Sequence, residues 1–128
     1  GGRAPQRGRP REELKMVLCV NVSLKMKSGK IAAQCSHAAV GVVEDLVDGD
    51  RALLEQWQRC GQPKIALKVP DAAGMAQLAR EARALGLPTY LVRDAGRTQI
   101  PAGSQTVLAI GPGPKSTVDQ VAGHLKLL

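Results

Sequence analysis

The segment Lys15–Ser23 does most to limit how this chain can fold. Val17, Leu18, Val20 and Val22 make an almost continuous apolar run, so the segment has no polar face to give to water. A strand of that kind is covered on both sides. A chain of 128 residues makes about one domain, so the covering layers must come from the same unit. The rest of the sequence supplies them. Ser28 reads as the N-cap of a helix over Gly29–Val47. A second helix is predicted over Arg51–Arg59, where Leu53, Leu54 and Trp57 have helical spacing and Gly61 is the stop. Lys64–Val69 reads as a strand. Asp71 caps a helix running to Leu85, with Leu78, Ala82 and Leu85 inward and Gly86 as terminator. Thr89–Arg93 and Gln105–Ile110 are two more strands, separated by a polar loop over residues 94–104. A last helix follows Pro114, from Lys115 to His124. The order β-α-α-β-α-β-β-α predicts a single-domain α/β fold, a mixed four-stranded β-sheet sandwiched by helices. The helical crossovers call for parallel neighbours, and the short last link permits an antiparallel pair.

Composition narrows the chemistry. Trp57 and Tyr90 are the only aromatic residues, so the core must be aliphatic and base-stacking platforms are scarce. The net charge of +7 favours a polyanionic partner, because each phosphate contact by lysine or arginine releases counterions. Part of that charge sits in residues 1–13, which hold Arg3, Arg7, Arg9 and Arg11 against Glu12 and Glu13; the remainder keeps about +5. Residues 1–13, rich in Gly, Pro and Arg, read as a disordered leader or linker stub, and residues 14–128 as the folded domain. Cys19, Cys35 and Cys60 are odd in number and show no CxxC spacing, which argues against a disulfide framework or a zinc site and for a reducing compartment. No apolar run approaches the roughly 20 residues of a membrane-spanning helix, and no secretory signal is visible.

Two polar groupings stand out. Lys30, Gln34, His37 and Gly41 share one face of the first helix, with Ile31, Ala32, Cys35, Ala39 and Val42 expected on the buried side. Lys30 lies in the first turn, where the helix dipole disfavours a cation and backbone N–H groups can hold an anion. Lys25 and Lys27 precede it, so this corner reads either as a phosphate grip or as a solvated basic loop. The second grouping is the loop Asp94-Ala95-Gly96-Arg97-Thr98-Gln99-Ile100-Pro101-Ala102-Gly103-Ser104-Gln105-Thr106. It offers a carboxylate at a strand end, a hydroxyl and a phosphate-gripping arginine. An ordinary turn, with Asp94 bonded to local N–H groups and Gly96 supplying positive φ, has the same composition. Both groupings leave carboxyl ends of strands, where α/β sheets tend to bind ligands. Gly111-Pro112-Gly113-Pro114 reads as structural.

Read together, the motifs resemble the type 2 peptidyl-tRNA hydrolases. The matching text is Leu24-Lys25-Met26, Gly29-Lys30-Ile31-Ala32-Ala33-Gln34-Cys35-Ser36-His37-Ala38-Ala39, Trp57 and Cys60-Gly61-Gln62-Pro63-Lys64. It continues through Leu85-Gly86-Leu87, Asp94-Ala95-Gly96-Arg97-Thr98-Gln99-Ile100, Gly103-Ser104 and Gly111-Pro112-Gly113, in family order over residues 14–128. The resemblance implies a mixed-sheet α/β domain, usually a homodimer. It implies metal-independent hydrolysis, without a cofactor, of the ester between a peptide and its tRNA. It places the family's site residues on Lys30, Gln34, Asp94 and Thr98, with Ser104 and Thr106 bordering them. The chain departs from the family pattern at Ser23, where an aspartate is usual, and at Lys27-Ser28, where a glycine-lysine pair is common.

Ester hydrolysis needs an activated water, a stabilised oxyanion and a proton for the leaving ribose oxygen. The expected division of labour gives Asp94 the water, Lys30 the developing negative charge, and Gln34 and Thr98 the positioning hydrogen bonds. His37 stands one turn beyond Gln34 as a supporting group. Lys25, Lys27 and Arg97 are expected on tRNA phosphates. The alternative is a non-catalytic RNA-binding or protein-interaction module on the same fold. The expected location is the cytoplasm, or the mitochondrion where an N-terminal address lies outside this chain.

Overall fold

The computed structural model describes residues 12–96 and 100–128; the proposed leader, apart from Glu12 and Glu13, lies outside them, as do Arg97, Thr98 and Gln99. Four strands form one sheet: β1 (Leu14–Asn21), β2 (Lys64–Val69), β3 (Thr89–Arg93) and β4 (Gln105–Pro114). Their spatial order is β2-β1-β4-β3. β1 runs parallel to β2, while β1–β4 and β3–β4 are antiparallel. The helices are α1 (Ser28–Gly49), α2 (Arg51–Arg59), α3 (Ala72–Ala84) and α4 (Lys115–Ala122). The predicted order and the mixed sheet are those observed.

β1 is central, and the apolar run explains why. Val17 and Cys19 join one core layer with Leu78 and Ala82 of α3 and Val118 and Val121 of α4. Met16, Leu18 and Val20 join the other, with Val42 and Leu46 of α1 and Leu54 and Trp57 of α2. Each such side chain contributes about 1.5–3 kcal/mol when fully buried, so a polar residue on either face of β1 would strike a core. The aromatic share of this core is small but well used. Trp57 is fully buried, and its indole N–H donates to the Pro63 carbonyl at 3.1 Å.

Several boundaries differ from the sequence expectation, each for a local reason. β1 stops at Asn21, because Val22–Leu24 curl into a 3-10 turn capped by the Asn21 side chain. Ser28 is the first residue of α1 instead of its cap; Lys27 holds the cap position and makes no side-chain capping bond. β4 extends to Pro114 because Gly113 and Pro114 pair with Lys15 and Leu14. Glycine is required in that extension: at Gly111 φ is +101°, and a Cβ would lie 2.6 Å from the Lys15 carbonyl oxygen. α4 ends at Ala122, and the last residues turn back along β2. There Lys68 N–H donates to Lys126 O at 2.8 Å and Leu128 N–H to Ala66 O at 3.1 Å.

The buried surface of α1 is also wider than the expected side, on which Val42 enters the core and Ile31, Cys35 and Ala39 pack against it. Its buried residues are Gln34, Ala38, Gly41, Val42 and Leu46, whereas Ala32 is exposed and Ile31, Cys35 and Ala39 are half-buried. The face carrying Lys30, Gln34 and Gly41 is thus turned toward the sheet. Gly41 makes this approach feasible, since a Cβ there would lie 2.4 Å from ring carbons of Tyr90 on β3.

Candidate active site

α1 and β3 run side by side, and the space between them is a cleft of 620 Å³. Lys30, Gln34, His37, Gly41 and Glu44 line it from the helix, and Tyr90 through Ala95 line it from the strand and its exit. The two sequence groupings therefore meet in one place.

Lys30 and Asp94 form an ion pair across the cleft mouth, Nζ to Oδ1. The Asp94 side chain is only 2% accessible and that of Lys30 is 20% accessible. A carboxylate so buried needs compensation. It has Lys30 on one oxygen, and on the other the Gly96 N–H, which donates to Oδ2 at 2.8 Å. The backbone of Asp94 is pinned as well: its N–H donates to the Ser104 carbonyl at 2.8 Å, and its carbonyl accepts from Gly103 N–H at 2.9 Å. The pair also answers the cost of a cation in a first helical turn, because Lys30 is held by a fixed anion.

Gln34 stands one turn along the same face. It is 6% exposed and lines the cleft, yet its side-chain amide makes no hydrogen bond to another described residue. Buried amides are ordinarily satisfied, so this carboxamide is set to bond something within the cleft. His37, a turn further, is exposed and also faces the cleft.

Of the other expected residues, Lys25, Lys27, Ser104 and Thr106 are described and none of them lines the cleft. The Ser104 hydroxyl donates to the Pro101 carbonyl at 2.7 Å, closing the turn behind Asp94. The Thr106 hydroxyl is fully buried and donates to the Val92 carbonyl at 3.2 Å, next to the irregular pairing at Val92/Arg93. Both brace the strand exit that presents Asp94. Lys25 and Lys27 are exposed in the connection just before α1. Lys25 adopts a left-handed conformation at φ 54°. Thr98 and Arg97 lie outside the described residues. Ser23 donates both its hydroxyl, at 2.6 Å, and its N–H, at 3.1 Å, to the Asn21 side-chain oxygen; Asn21 in turn donates to the Gln105 carbonyl at 3.0 Å. The position where an aspartate is expected from the family pattern is here a hydroxyl bonded to Asn21, and it is the Asn21 side chain that ties the end of β1 to the start of β4.

Thiol chemistry has little support at this site. Burial pushes the Cys19 thiol up to about 12 and raises that of Cys35, so neither is a ready thiolate. Among the described residues, no three His, Cys, Asp or Glu side chains gather closely enough to hold a metal ion. Reading the residues alone missed Tyr90, Val40 and Glu44 as cleft residues. The signal was present: the stripe 30, 34, 37, 41 continues to 44 at the same spacing.

Comparison with known proteins fits this geometry. Residues 14–128 match the family described as "Peptidyl-tRNA hydrolase PTH2". The human and bovine proteins named "Peptidyl-tRNA hydrolase 2, mitochondrial" are 53% and 52% identical to the chain over 115 residues, covering 90% of it and 64% of each relative. The chain thus spans less than two thirds of those relatives. The "Peptidyl-tRNA hydrolase" of Metallosphaera sedula is 44% identical over 117 residues, covering 90% of the chain and 100% of that protein. The expected cytoplasmic location is overturned by the mammalian relatives, whose names place them in the mitochondrion.

Proposed function

The chain belongs to the peptidyl-tRNA hydrolase PTH2 family, and on that premise we propose that residues 14–128 hydrolyse the ester joining a peptide to the ribose of tRNA, releasing free tRNA. The observation that carries this reading is the meeting, in one cleft, of a buried, ion-paired carboxylate with a buried carboxamide that bonds no other described residue. Water attacks the ester carbonyl. Asp94 holds and polarises that water, and its carboxylate is fixed in place by the Gly96 N–H. Charge then builds on the carbonyl oxygen, and the Lys30 ammonium, already aimed into the cleft mouth, stabilises it. Gln34 donates its side-chain N–H to the same oxygen or to the water. Collapse of the intermediate expels the ribose oxygen, which takes up the proton delivered from the attacking water. Thr98 keeps its place in the proposal as a further hydrogen-bonding group.

Lys25 and Lys27, beside the uncapped start of α1, are assigned to tRNA phosphates together with Arg97. Contacts of this type bind without reading sequence. A homodimer, as implied by the family resemblance, belongs to the same proposal, and sedimentation equilibrium of the purified chain tests it.

The decisive assay mixes the chain with peptidyl-tRNA and follows the appearance of free tRNA, with unsubstituted aminoacyl-tRNA alongside. Rapid release from peptidyl-tRNA is expected, and no release above the uncatalysed rate would remove the hydrolase reading. Binding should weaken steeply with salt as counterion release is lost; a flat salt response would remove the phosphate role of the lysines.

A further inference from the structure

The cleft does not end at the catalytic pair. Past Gln34 it continues along α1 over Val40, Gly41 and Glu44 and along β3 to Tyr90. Its character changes along that path. At the α1 start, Lys25, Lys27 and Lys30 are joined by Arg93 next to Asp94, and the site is basic. At the far end there is no basic residue from Ala38 to Asp50, while Glu44, Asp45 and Asp48 are all exposed on the last turns of the helix. None of the three is in an ion pair with a described residue. Asp48 lies in the last turn, at the negative end of the helix dipole where a carboxylate is disfavoured, and Glu44 and Asp45 have no basic neighbour within one turn along the helix.

A peptidyl-tRNA has two unlike halves, a polyanion and a peptide, and a site that cuts between them must take one on each side. We infer that the Val40–Glu44–Tyr90 end of the cleft is the peptide subsite, and that the tRNA leaves over the basic end. This rests on the hydrolase reading above. Phosphates would meet uncompensated carboxylates at the far end and complementary charge at the near one. The surface of the far end also suits a peptide. Val40 is 55% exposed on the rim. The half-buried Tyr90 ring forms the floor against Gly41, and its hydroxyl makes no hydrogen bond to a described residue, leaving it for a peptide carbonyl. The buried Gln34 amide marks the junction with the catalytic centre. Along the helix axis Gln34 and Glu44 are about 15 Å apart, a span that an extended peptide covers with roughly four or five residues. The subsite therefore takes an extended peptide with tolerance for apolar side chains and a preference for a cationic residue near Glu44.

The test keeps one tRNA and varies the peptide. Single-turnover rates are measured for an N-acetyl-aminoacyl substrate, used as each protein's internal reference, and for six-residue peptides. These carry lysine or glutamate at about the fourth and fifth residues back from the ester. The wild-type protein should favour the lysine peptide by about fivefold, the equivalent of about 1 kcal/mol for one water-screened ion pair. Glu44→Gln should erase that preference and Glu44→Lys should invert it. The exposed position of Glu44 makes both variants safe for folding. Affinity for deacylated tRNA is the second readout. If Glu44→Lys tightens it about tenfold with a steeper salt dependence, the tRNA runs over this end and the assignment is reversed. Equal rates on all peptides in all three proteins would overturn the subsite while leaving the hydrolase reading intact. Absence of hydrolysis of every substrate by the wild type would remove that reading and the subsite with it.

Discussion

The two edges of the sheet are treated in opposite ways. At the β2 edge the chain closes itself: residues 126–128 lie along the strand with two backbone hydrogen bonds and a bridge from Leu67 to Leu127. On the same side, the Lys64 ammonium stands 5.4 Å over the Trp57 ring. At the β3 edge a strand of only five residues borders the cleft and ends in a buried carboxylate. An exposed edge is a liability that proteins usually cover. Here one edge is sealed by the chain's own last residues and the other borders the cleft proposed for the substrate. The difference suggests that stability can be removed at the β2 edge without touching chemistry, whereas chemistry at the β3 edge is inseparable from a costly buried charge.

The largest expected effect is on rate. Asp94→Asn keeps an oxygen for the Gly96 N–H but removes the charge, and should lower the single-turnover rate by about a hundredfold or more. A variant within a few-fold of wild type would show that Asp94 only shapes the loop. Lys30→Ala should cost as much rate and also stability. It removes the ammonium partner of a carboxylate that is 2% accessible, at a cost of roughly 3 kcal/mol for a broken buried pair. Urea unfolding reads this directly. In the neutral double variant Lys30→Met with Asp94→Asn, much of the stability should return and the activity should not.

Smaller effects test the geometry around the pair. Gly41→Ala puts a methyl group 2.4 Å from the Tyr90 ring carbons and should destabilise by about 1–3 kcal/mol as overpacking does, with KM rising as the ring is displaced. An unchanged melting temperature would mean that α1 can lift off β3 freely. Deleting residues 126–128 removes two backbone hydrogen bonds at about 1 kcal/mol each and bares the β2 edge. Stability should fall and self-association rise, while the rate on peptidyl-tRNA stays at the wild-type value. A matching loss of rate would break the contrast between the edges.

The smallest effect is a pH dependence far from either edge. Hydrogen bonds from Lys15 and Lys115 hold the Asp119 carboxyl below its ordinary value. A lowered folded-state value means that the contribution is present above the ordinary carboxylate range and is lost as pH falls through the folded value. Asp119→Asn should therefore lower the urea midpoint slightly near neutrality and not at all in strong acid. Because the group is partly exposed, solvent screening keeps the effect small.

The elements were legible because their signals are local. The apolar run of β1, the Asp71 cap, whose side chain accepts from Gly74 N–H at 2.8 Å, and the Gly86 stop each act within a few residues. What was not legible depended on partners distant in sequence. The extension of β4 through Gly113 and Pro114 requires Leu14 and Lys15 beside it. The end of α4 was hidden because residues 126–128 find their partners in β2. The apolar side expected for α1 does pack, with Val42 in the core and Ile31, Cys35 and Ala39 against it, but Gln34 was not expected to be buried, because a glutamine reads as polar and outward. Its burial follows from Gly41 and Tyr90, 49 positions apart in the chain. At the site, Lys30, Gln34 and Asp94 were found from motifs, while Tyr90, Val40 and Glu44 carry no motif and are recognised only as walls of a cleft. Ser104 and Thr106 were placed beside the site by resemblance, and their hydroxyls bond the Pro101 and Val92 carbonyls at the strand exit that presents Asp94.

The central claim is that the Lys30–Asp94 pair performs hydrolysis instead of merely holding the loop to the helix. The most direct measurement is the single-turnover rate of tRNA release by the neutral Lys30→Met, Asp94→Asn protein, taken at a temperature where its folded fraction equals that of the wild type. The account predicts a folded protein that binds tRNA and releases it from peptidyl-tRNA at least about a hundredfold more slowly. A rate within a few-fold of wild type would contradict it.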